Sequence, residues 1–250
     1  MEQVGTDLVI RGELTEKQLL DLEYEHDPSD IAMIVSKKGG RPFVKKFVGV
    51  SNAFVGLQVR SPYTYIRHLY VADCYSDDVA VRTGDIGIGL LEVIDTHDYV
   101  YSDRNHKDIF QIYNFNSTTN KLCNDPIRNV VIRRMELEIG GDSKHIINCT
   151  EICGYENFEL FAEGCFIKQA RPGDKGYLIS TTSAVNWVIG SPEHPIDPAL
   201  IGDRAIRIDG RKTGSKPSSN VIIHARPNLR LELDESAKAA TTVVEYDHGF

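Results

Sequence analysis

The residues with the clearest potential for chemistry lie in the segment 95–108, whose sequence is DTHDYVYSDRNHKD. Its two imidazoles, His97 and His106, lie near the carboxylates of Asp95 and Asp98. Two histidines and a carboxylate are the ligands of many divalent-cation sites in β-rich oxygenases. The segment therefore indicates a candidate metal site, and the alternative is an acidic, solvated loop between two strands.

A second set of possible metal ligands lies between residues 145 and 165. His145, Cys149 and Cys153 follow one another at intervals of four residues, and Cys165 comes later. On a strand, residues four apart stand about 13 Å from each other, too far to share one zinc ion. The surrounding sequence is rich in β-branched residues, so we predict buried thiols in a sheet instead.

Other motifs are incomplete. The segment 209–216 (DGRKTGSK) resembles a phosphate-binding loop, but only three residues separate its glycines, and Pro217 prevents a helix from following. The sequence contains neither Gly-x-Ser-x-Gly nor His-Glu-x-x-His. We therefore predict no cofactor and lean against an enzyme.

The charge of the chain argues against broad nucleic-acid binding. A basic cluster at 37–46 (KKGGRPFVKK) has the composition of a phosphate-binding surface, but the net charge of the chain is −8 and its pI is about 5.5. An acidic protein repels phosphate backbones, so a charged loop is the commoner explanation of the cluster.

Aromatic residues offer a further alternative. Tyr63, Tyr65, Tyr70 and Trp187 have the chemistry to line a sugar-binding face. Such residues are more often part of the core or of turns.

The composition is that of an ordinary globular protein. The chain has 250 residues, 41% of them hydrophobic, and five cysteines. The N-terminal residues lack the pattern of a signal peptide, and no apolar run approaches the roughly 20 residues that span a bilayer. An odd number of cysteines in a chain of this size favours reduced thiols, so we predict a cytoplasmic protein with no membrane partner.

The elements that would position these residues begin with an N-terminal helix. Thr15 and Gln18 form a capping box, and Leu19 and Leu22 begin an apolar stripe that predicts a helix over 15–26. A second helix is predicted over 27–39, although residues 31–35 fit a buried strand as well. We therefore divide the chain into a helical arm, 1–40, and one domain, 41–250.

From Pro42 onward the pattern is that of β-strands separated by turn residues. The predicted strands are 43–50, 54–59, 65–71, 86–94, 109–115, 130–139, 146–152, 158–167, 177–180, 185–189, 221–225, 229–233 and 242–246. Residues 140–143 (GGDS) indicate a hairpin turn between two of them. Without intervening helices, this spacing predicts a mostly β protein with an antiparallel, jelly-roll-like β-sandwich. We detect no repeat of 20 to 50 residues, which argues against a solenoid.

These features favour a structural role as the leading hypothesis. We expect a self-assembling subunit, such as a viral or phage coat protein or a polyhedrin-like protein of an occlusion body or intracellular crystal. The partner would be the chain itself, as a homo-oligomer or lattice, within the cell, a virion or an inclusion. Leu19, Leu22 and Tyr24 of the helical arm are the predicted assembly contacts, with the proline-bearing loop 190–202 as a second contact element. The alternatives are a metal-dependent β-sandwich or cupin-like enzyme and a carbohydrate- or peptide-binding module.

Overall fold

Strands that follow one another along the chain belong mostly to two different sheets. The computed structural model of the chain describes residues 2–4, 7–11, 21–25, 31–35, 43–51, 55–60, 62–74, 76–95, 108–116, 121–122, 125–139, 145–151, 153–168, 176–209 and 216–247. Within these ranges, nearly all of the chain that is not in turns is strand, and only two short helices occur.

The first sheet, sheet A, contains ten described strands. In their order across the sheet they are β1 (Glu2–Val4), β2 (Asp7–Arg11), β4 (Ile31–Val35), β6 (Val55–Val59), β8 (Val79–Val81), β10 (Asp108–Ile112), β14 (His145–Cys149), β17 (Tyr177–Thr181), β19 (Ala205–Ile208) and β21 (Leu231–Leu233).

The second sheet, sheet B, takes up the intervening strands. In order they are β3 (Asp21–Glu25), β5 (Phe43–Ser51), β7 (Thr64–Ala72), β9 (Ile86–Asp95), β13 (Ile127–Ile139), β15 (Tyr155–Leu160), β18 (Val185–Ile189), β20 (Ser219–Ala225) and β22 (Thr241–Glu245). A further strand, β16 (Cys165–Lys168), pairs with the second half of β13.

Three small elements complete the described part of the chain. The strands β11 (Phe115–Asn116) and β12 (Lys121–Leu122) pair with each other as a separate antiparallel ribbon. Helix α1 (Pro198–Ile201) lies within the predicted loop 190–202 and is capped by Asp197. Helix α2 (Glu235–Ala240) connects β21 to β22 and is capped by Asp234.

This arrangement is a parallel β-solenoid, and the predicted antiparallel, jelly-roll-like β-sandwich is wrong. Each strand pairs in parallel with the next strand of its own sheet, and among the described strands of sheets A and B only β1 and β2 pair antiparallel. A parallel pair needs a long connection between its strands. Here that connection runs through a strand of the opposite sheet, so no helix is required.

The hairpin predicted at 140–143 is wrong for the same reason. The strand before it, β13, pairs with β9 and β15 in sheet B, whereas the strand after it, β14, pairs with β10 and β17 in sheet A. Strands β13 and β14 are therefore not paired with each other, as a hairpin would require.

The coils of the solenoid differ greatly in length, which explains why the sequence shows no obvious repeat. Thr64 pairs with Ile86, a step of 22 residues, and Ile86 pairs with Val130, a step of 44. Near the C-terminal end, Val221 pairs with Thr241 after only 20 residues. The conclusion from sequence that a solenoid is disfavoured is therefore wrong.

The core is a set of apolar rows that run along the solenoid axis. In sheet B one such row pairs residue by residue through successive coils and consists of Ile66, Ile88, Ile132, Leu160, Ile189 and Ile223. Each member is buried. Stacked side chains of this kind bury apolar surface only against neighbouring coils, so each coil depends on the two beside it.

A ladder of outward-facing side chains marks one corner of the coils. Asp85, Asn129, Asn157, Asn186 and Asn220 occupy equivalent positions and all have a left-handed backbone, with φ between 52° and 60°. Each amide nitrogen donates to the side-chain oxygen of the preceding coil, at 2.7 Å from Asn129 to Asp85 and at 3.1 Å for the other three bonds. Asparagine suits this corner because it tolerates the left-handed region and its amide both donates and accepts.

The predicted N-terminal helices are not found where the chain is described. Asp21–Glu25, within the helix predicted over 15–26, is strand β3, and Ile31–Val35 is strand β4, as the alternative interpretation of that run proposed. These strands pair with β5 and β6 across the boundary predicted at residue 40. The division into an arm and a domain stays a prediction.

The ladder predicts a specific loss of stability. Asn157→Ala removes two amide hydrogen bonds and forces a Cβ-bearing residue without a polar group into the left-handed region, so we expect the free energy of unfolding to fall by about 2–4 kcal/mol. Asn157→Gly removes the bonds but tolerates the conformation, and we expect a smaller loss of about 1–2 kcal/mol. Urea denaturation measures both. Glu159→Ala, an exposed change on the same strand, serves as the control; equal values for all three variants would contradict the ladder's role.

Candidate functional site

One face of sheet A carries a row of mostly polar side chains in the coils from β6 to β21. We call it the polar row, and register pairs its members in the order Gln58, Ala80, Gln111, Asn148, Ser180, Arg207 and Glu232. The residues just before them, Leu57, Val79, Phe110, Ile147, Ile179 and Ile206, are fully buried in the core. Since side chains alternate along a strand, the polar row lies on the other face of the sheet, where Gln58, Ala80, Asn148 and Ser180 are themselves buried.

A buried carboxylate lies beside the middle of the polar row. Asp108, at the start of β10, is fully buried. Its Oδ2 accepts hydrogen bonds from Asn148 Nδ2 at 2.5 Å and from Gln111 Nε2 at 3.4 Å. Its Oδ1 lies 3.2 Å from Nδ1 of His145. We call Asp108, Gln111, His145 and Asn148 the Asp108 cluster.

The register of β10 and β14 brings this cluster together. Asp108 pairs directly with His145, and Gln111 pairs directly with Asn148. A carboxylate in the interior is costly unless charged or polar groups compensate it. The imidazole and the two amides do so here, and the same contacts orient the imidazole ring of His145.

The cluster continues towards the N-terminal coils through Arg82. Its Nη2 donates to Gln111 Oε1 at 3.1 Å, and its guanidinium lies 3.4 Å from the centre of the Tyr113 ring. Burial lowers the pKa of Arg82 and raises that of Tyr113, and the attraction between the two opposes both shifts. Because its pKa is raised, Tyr113 stays neutral at ordinary pH.

Planar groups connect the cluster to the C-terminal coils. The His145 imidazole stacks on the Tyr177 ring, with centroids 5.4 Å apart and an angle of 14° between the planes. The guanidinium of Arg207 lies 5.2 Å from the centre of the same tyrosine ring. The Tyr177 hydroxyl donates to Glu232 Oε2 at 3.0 Å. Tyr177 is therefore shared by the Asp108 cluster and by the open part of the face.

That open part is a groove of about 340 Å³ at the C-terminal end of the polar row. We call it the Arg207 groove, and its lining residues are Tyr177, Arg207, Asp209, Glu232, Leu233 and Asp234. Arg207 Nη2 lies 3.3 Å from Asp209 Oδ2, and Asp234 Oδ1 accepts from the backbone N–H of Ala237 at 2.7 Å as the cap of α2. The groove thus offers charged and hydroxyl groups beside one aromatic ring.

Most residues of the predicted metal site lie outside the part of the chain that the structure describes. Asp95 is buried at the end of β9, while His97, Asp98 and His106 lie outside the described residues. Within the ranges that are described, no three His, Cys, Asp or Glu side chains are placed to hold a metal ion. Metal binding by the segment 95–108 therefore stays a prediction.

The predicted assembly contacts also stay predictions. Leu19 lies outside the described residues, and Leu22 and Tyr24 are on strand β3 and not on a helix. No helix in the described part of the chain has the length and apolar character to cross a membrane.

The other residues suggested by the sequence are mainly structural. Trp187 is fully buried, stacks on Phe158 with ring centres 4.6 Å apart, and donates to the backbone oxygen of Tyr155. The tyrosines Tyr63 and Tyr65 are exposed. Cys149, Cys153 and Cys165 are buried free thiols, and His145 contacts Asp108. The predicted burial of these thiols is therefore confirmed.

Sequence reasoning missed Gln111, Asn148, Ser180 and Arg207. A signal was present, since the segments Asp108–Gln111, His145–Asn148 and Tyr177–Ser180 read DIFQ, HIIN and YLIS. Each has two apolar residues between two polar or aromatic ones, and each comes from one coil of sheet A. The pattern has the period of neither a half-buried strand nor a helix, so it is visible only when the coils are aligned.

Comparison of the chain with protein-family models, curated proteins and solved structures found no match. A function therefore has to rest on the geometry of sheet A.

The buried thiols give a prediction for chemical reactivity. Burial raises the pKa of Cys165 to about 12 and that of Cys149 well above its ordinary value. Because the thiolate is the reactive form, we expect both to resist iodoacetamide at pH 8 until denaturant is added, as peptide mapping would show. An unfolded thiol ionises near pKa 9.0, so Cys165 burial should stabilise the fold below pH 9 and lose that contribution as the pH rises towards 12. Labelling of Cys165 in the native protein would contradict its position.

Proposed function

We propose that the protein binds a neutral saccharide chain in the Arg207 groove, at the open, C-terminal end of the polar row. The polar row carries this proposal. It supplies one side chain per coil, in register, and it ends in an open groove beside Tyr177.

The spacing of the row favours a ligand that is itself a chain. Neighbouring strands in a sheet lie about 4.8 Å apart, so the three coils that line the groove extend over roughly 10 Å along the solenoid axis. A polymer with a repeating set of hydroxyl groups presents hydrogen-bonding partners along one direction, as the row does. A small compact ligand would occupy only one or two coils.

The chemistry of the groove favours hydroxyl groups without negative charge. Its lining contains one guanidinium, from Arg207, and three carboxylates, from Asp209, Glu232 and Asp234. Carboxylate oxygens accept and guanidinium nitrogens donate, which matches hydroxyl groups that do both. The excess of negative charge opposes a polymer of uronic acids.

Arg207 gives the direct test of this proposal. In isothermal titration calorimetry we expect cellohexaose or N-acetylated chitohexaose to bind, and Arg207→Ala to weaken that binding about ten- to a hundredfold, since charged hydrogen bonds are worth about 1.5–3 kcal/mol. Arg133→Ala is the matched control because Arg133 is 60% exposed, pairs with Glu163 and lies on sheet B. Equal losses in both variants, or tighter binding of hexagalacturonate than of the neutral probes, would contradict the proposal.

A second candidate function, self-assembly, is favoured by the C-terminal end of the solenoid. Val243 follows Ile223 in an inward-facing row, yet 37% of it is exposed because no further coil in the described part covers it. Its strand, β22, pairs with β20 along one edge, and its other edge has no partner strand among the described residues. Open strand edges of this kind pair readily with another chain.

We propose on this basis that copies of the chain associate through this end. By light scattering after size exclusion we expect a mass that is a multiple of 28.0 kDa. Val243→Lys should reduce it to the monomer, because an inward-pointing lysine would be buried without a partner when a second copy covers the apolar row. Thr242→Lys places the same charge on the opposite face of β22 and should retain assembly. A monomeric parent protein would exclude this second function.

A further inference from the structure

Ser180 carries a buried hydroxyl without a hydrogen-bond partner among the described residues. It lies in the polar row on strand β17, and it is only 1% exposed. Its Oγ has no hydrogen-bond partner within the part of the chain that the structure describes. A buried polar group without a partner costs roughly 1–3 kcal/mol, so such groups are rare unless they serve a ligand or an internal water.

The neighbours of Ser180 in the row make other contacts. Asn148 donates from Nδ2 to Asp108 and accepts at Oδ1 from Thr150 Oγ1 at 2.7 Å. Arg207, on the groove side, pairs with Asp209. Of these three row positions, Ser180 is the one whose side chain makes no hydrogen bond with the described residues.

The position of Ser180 points to the groove as the source of its partner. Register places Ser180 next to Arg207, which lines the groove. Ser180 itself does not line the groove, so a ligand reaches it when the Arg207 side chain, which is long and has considerable rotamer freedom, turns aside.

We propose that Ser180 contacts the ligand and that its hydroxyl bonds a hydroxyl group of a saccharide chain entering from the Arg207 groove. This inference rests on the proposed saccharide binding and adds a buried subsite to it. The Asp108 cluster limits that subsite on the other side, since Asn148 is the next member of the row.

The inference predicts different effects of Ser180→Ala on the stability of the free protein and on ligand affinity. In the free protein Ser180→Ala removes no hydrogen bond, so the thermal midpoint should stay unchanged or rise. In the complex it removes one hydrogen bond worth about 0.5–1.5 kcal/mol, which corresponds to about a two- to tenfold loss of affinity.

Ser183 supplies a matched control. It is equally buried, and its Oγ also has no hydrogen-bond partner among the described residues. It lies beyond the end of β17 and outside the polar row, where its backbone N–H donates to Thr181 Oγ1. Ser183→Ala should therefore have the same small effect on stability and none on binding.

The experiment measures the affinity of cellohexaose and N-acetylated chitohexaose by calorimetry, and the thermal midpoint, for the parent protein and both variants. A loss of affinity in Ser180→Ala alone, without a loss of stability, supports the inference. If the parent binds a probe and Ser180→Ala binds it equally well, the subsite is wrong while the proposed function stands. A clear fall in the thermal midpoint of Ser180→Ala would show a partner within the fold and also overturn it. If the parent binds neither probe, the proposed function fails and the subsite fails with it.

Discussion

The structure depends on the in-register stacking of its coils. Each strand finds its hydrogen-bond partners one coil away, so a coil has no stable conformation without its neighbours. Two sets of side chains fix the register. Inside, rows such as Ile88–Ile132–Leu160 bury their apolar surface only when like positions stack. Outside, the amide ladder from Asn129 to Asn220 hydrogen-bonds only when the corners align.

The same register also places the residues of the candidate site next to one another. Because equivalent positions stack, polar residues that are 25 to 37 positions apart in the chain, such as Gln111 and Asn148, become neighbours on one face. The Asp108 cluster and the Arg207 groove are then two parts of one face, connected by the stacking of His145, Tyr177 and Arg207. The fold stabilises this face from the core side, where Phe110 and Ile147 are fully buried.

Much of the strand content was predictable, but the pairing was not. Most of the predicted β runs coincide with observed strands, because β-branched residues bounded by turn residues signal a strand whatever its partner. Parallel and antiparallel partners leave the same local pattern, and coils of unequal length conceal the repeat. In β13 the inward side changes at Arg133 and Arg134, since Ile132 and Met135 are both buried, so no single alternation describes the whole strand. The site escaped prediction because its residues meet only through register.

Disulfide trapping between coils tests the stacking most directly. Val185 pairs with Ser219 in the next coil, whereas Glu156 lies one coil further back. Cysteines at Val185 and Ser219 would have Cα atoms about 5 Å apart, within the range of a disulfide, while cysteines at Glu156 and Ser219 would be about 10 Å apart and outside it. The solenoid predicts that mild oxidation joins the first pair and not the second. Equal trapping of both pairs, or trapping of the second alone, would contradict the stacked coils and the functional face built on them.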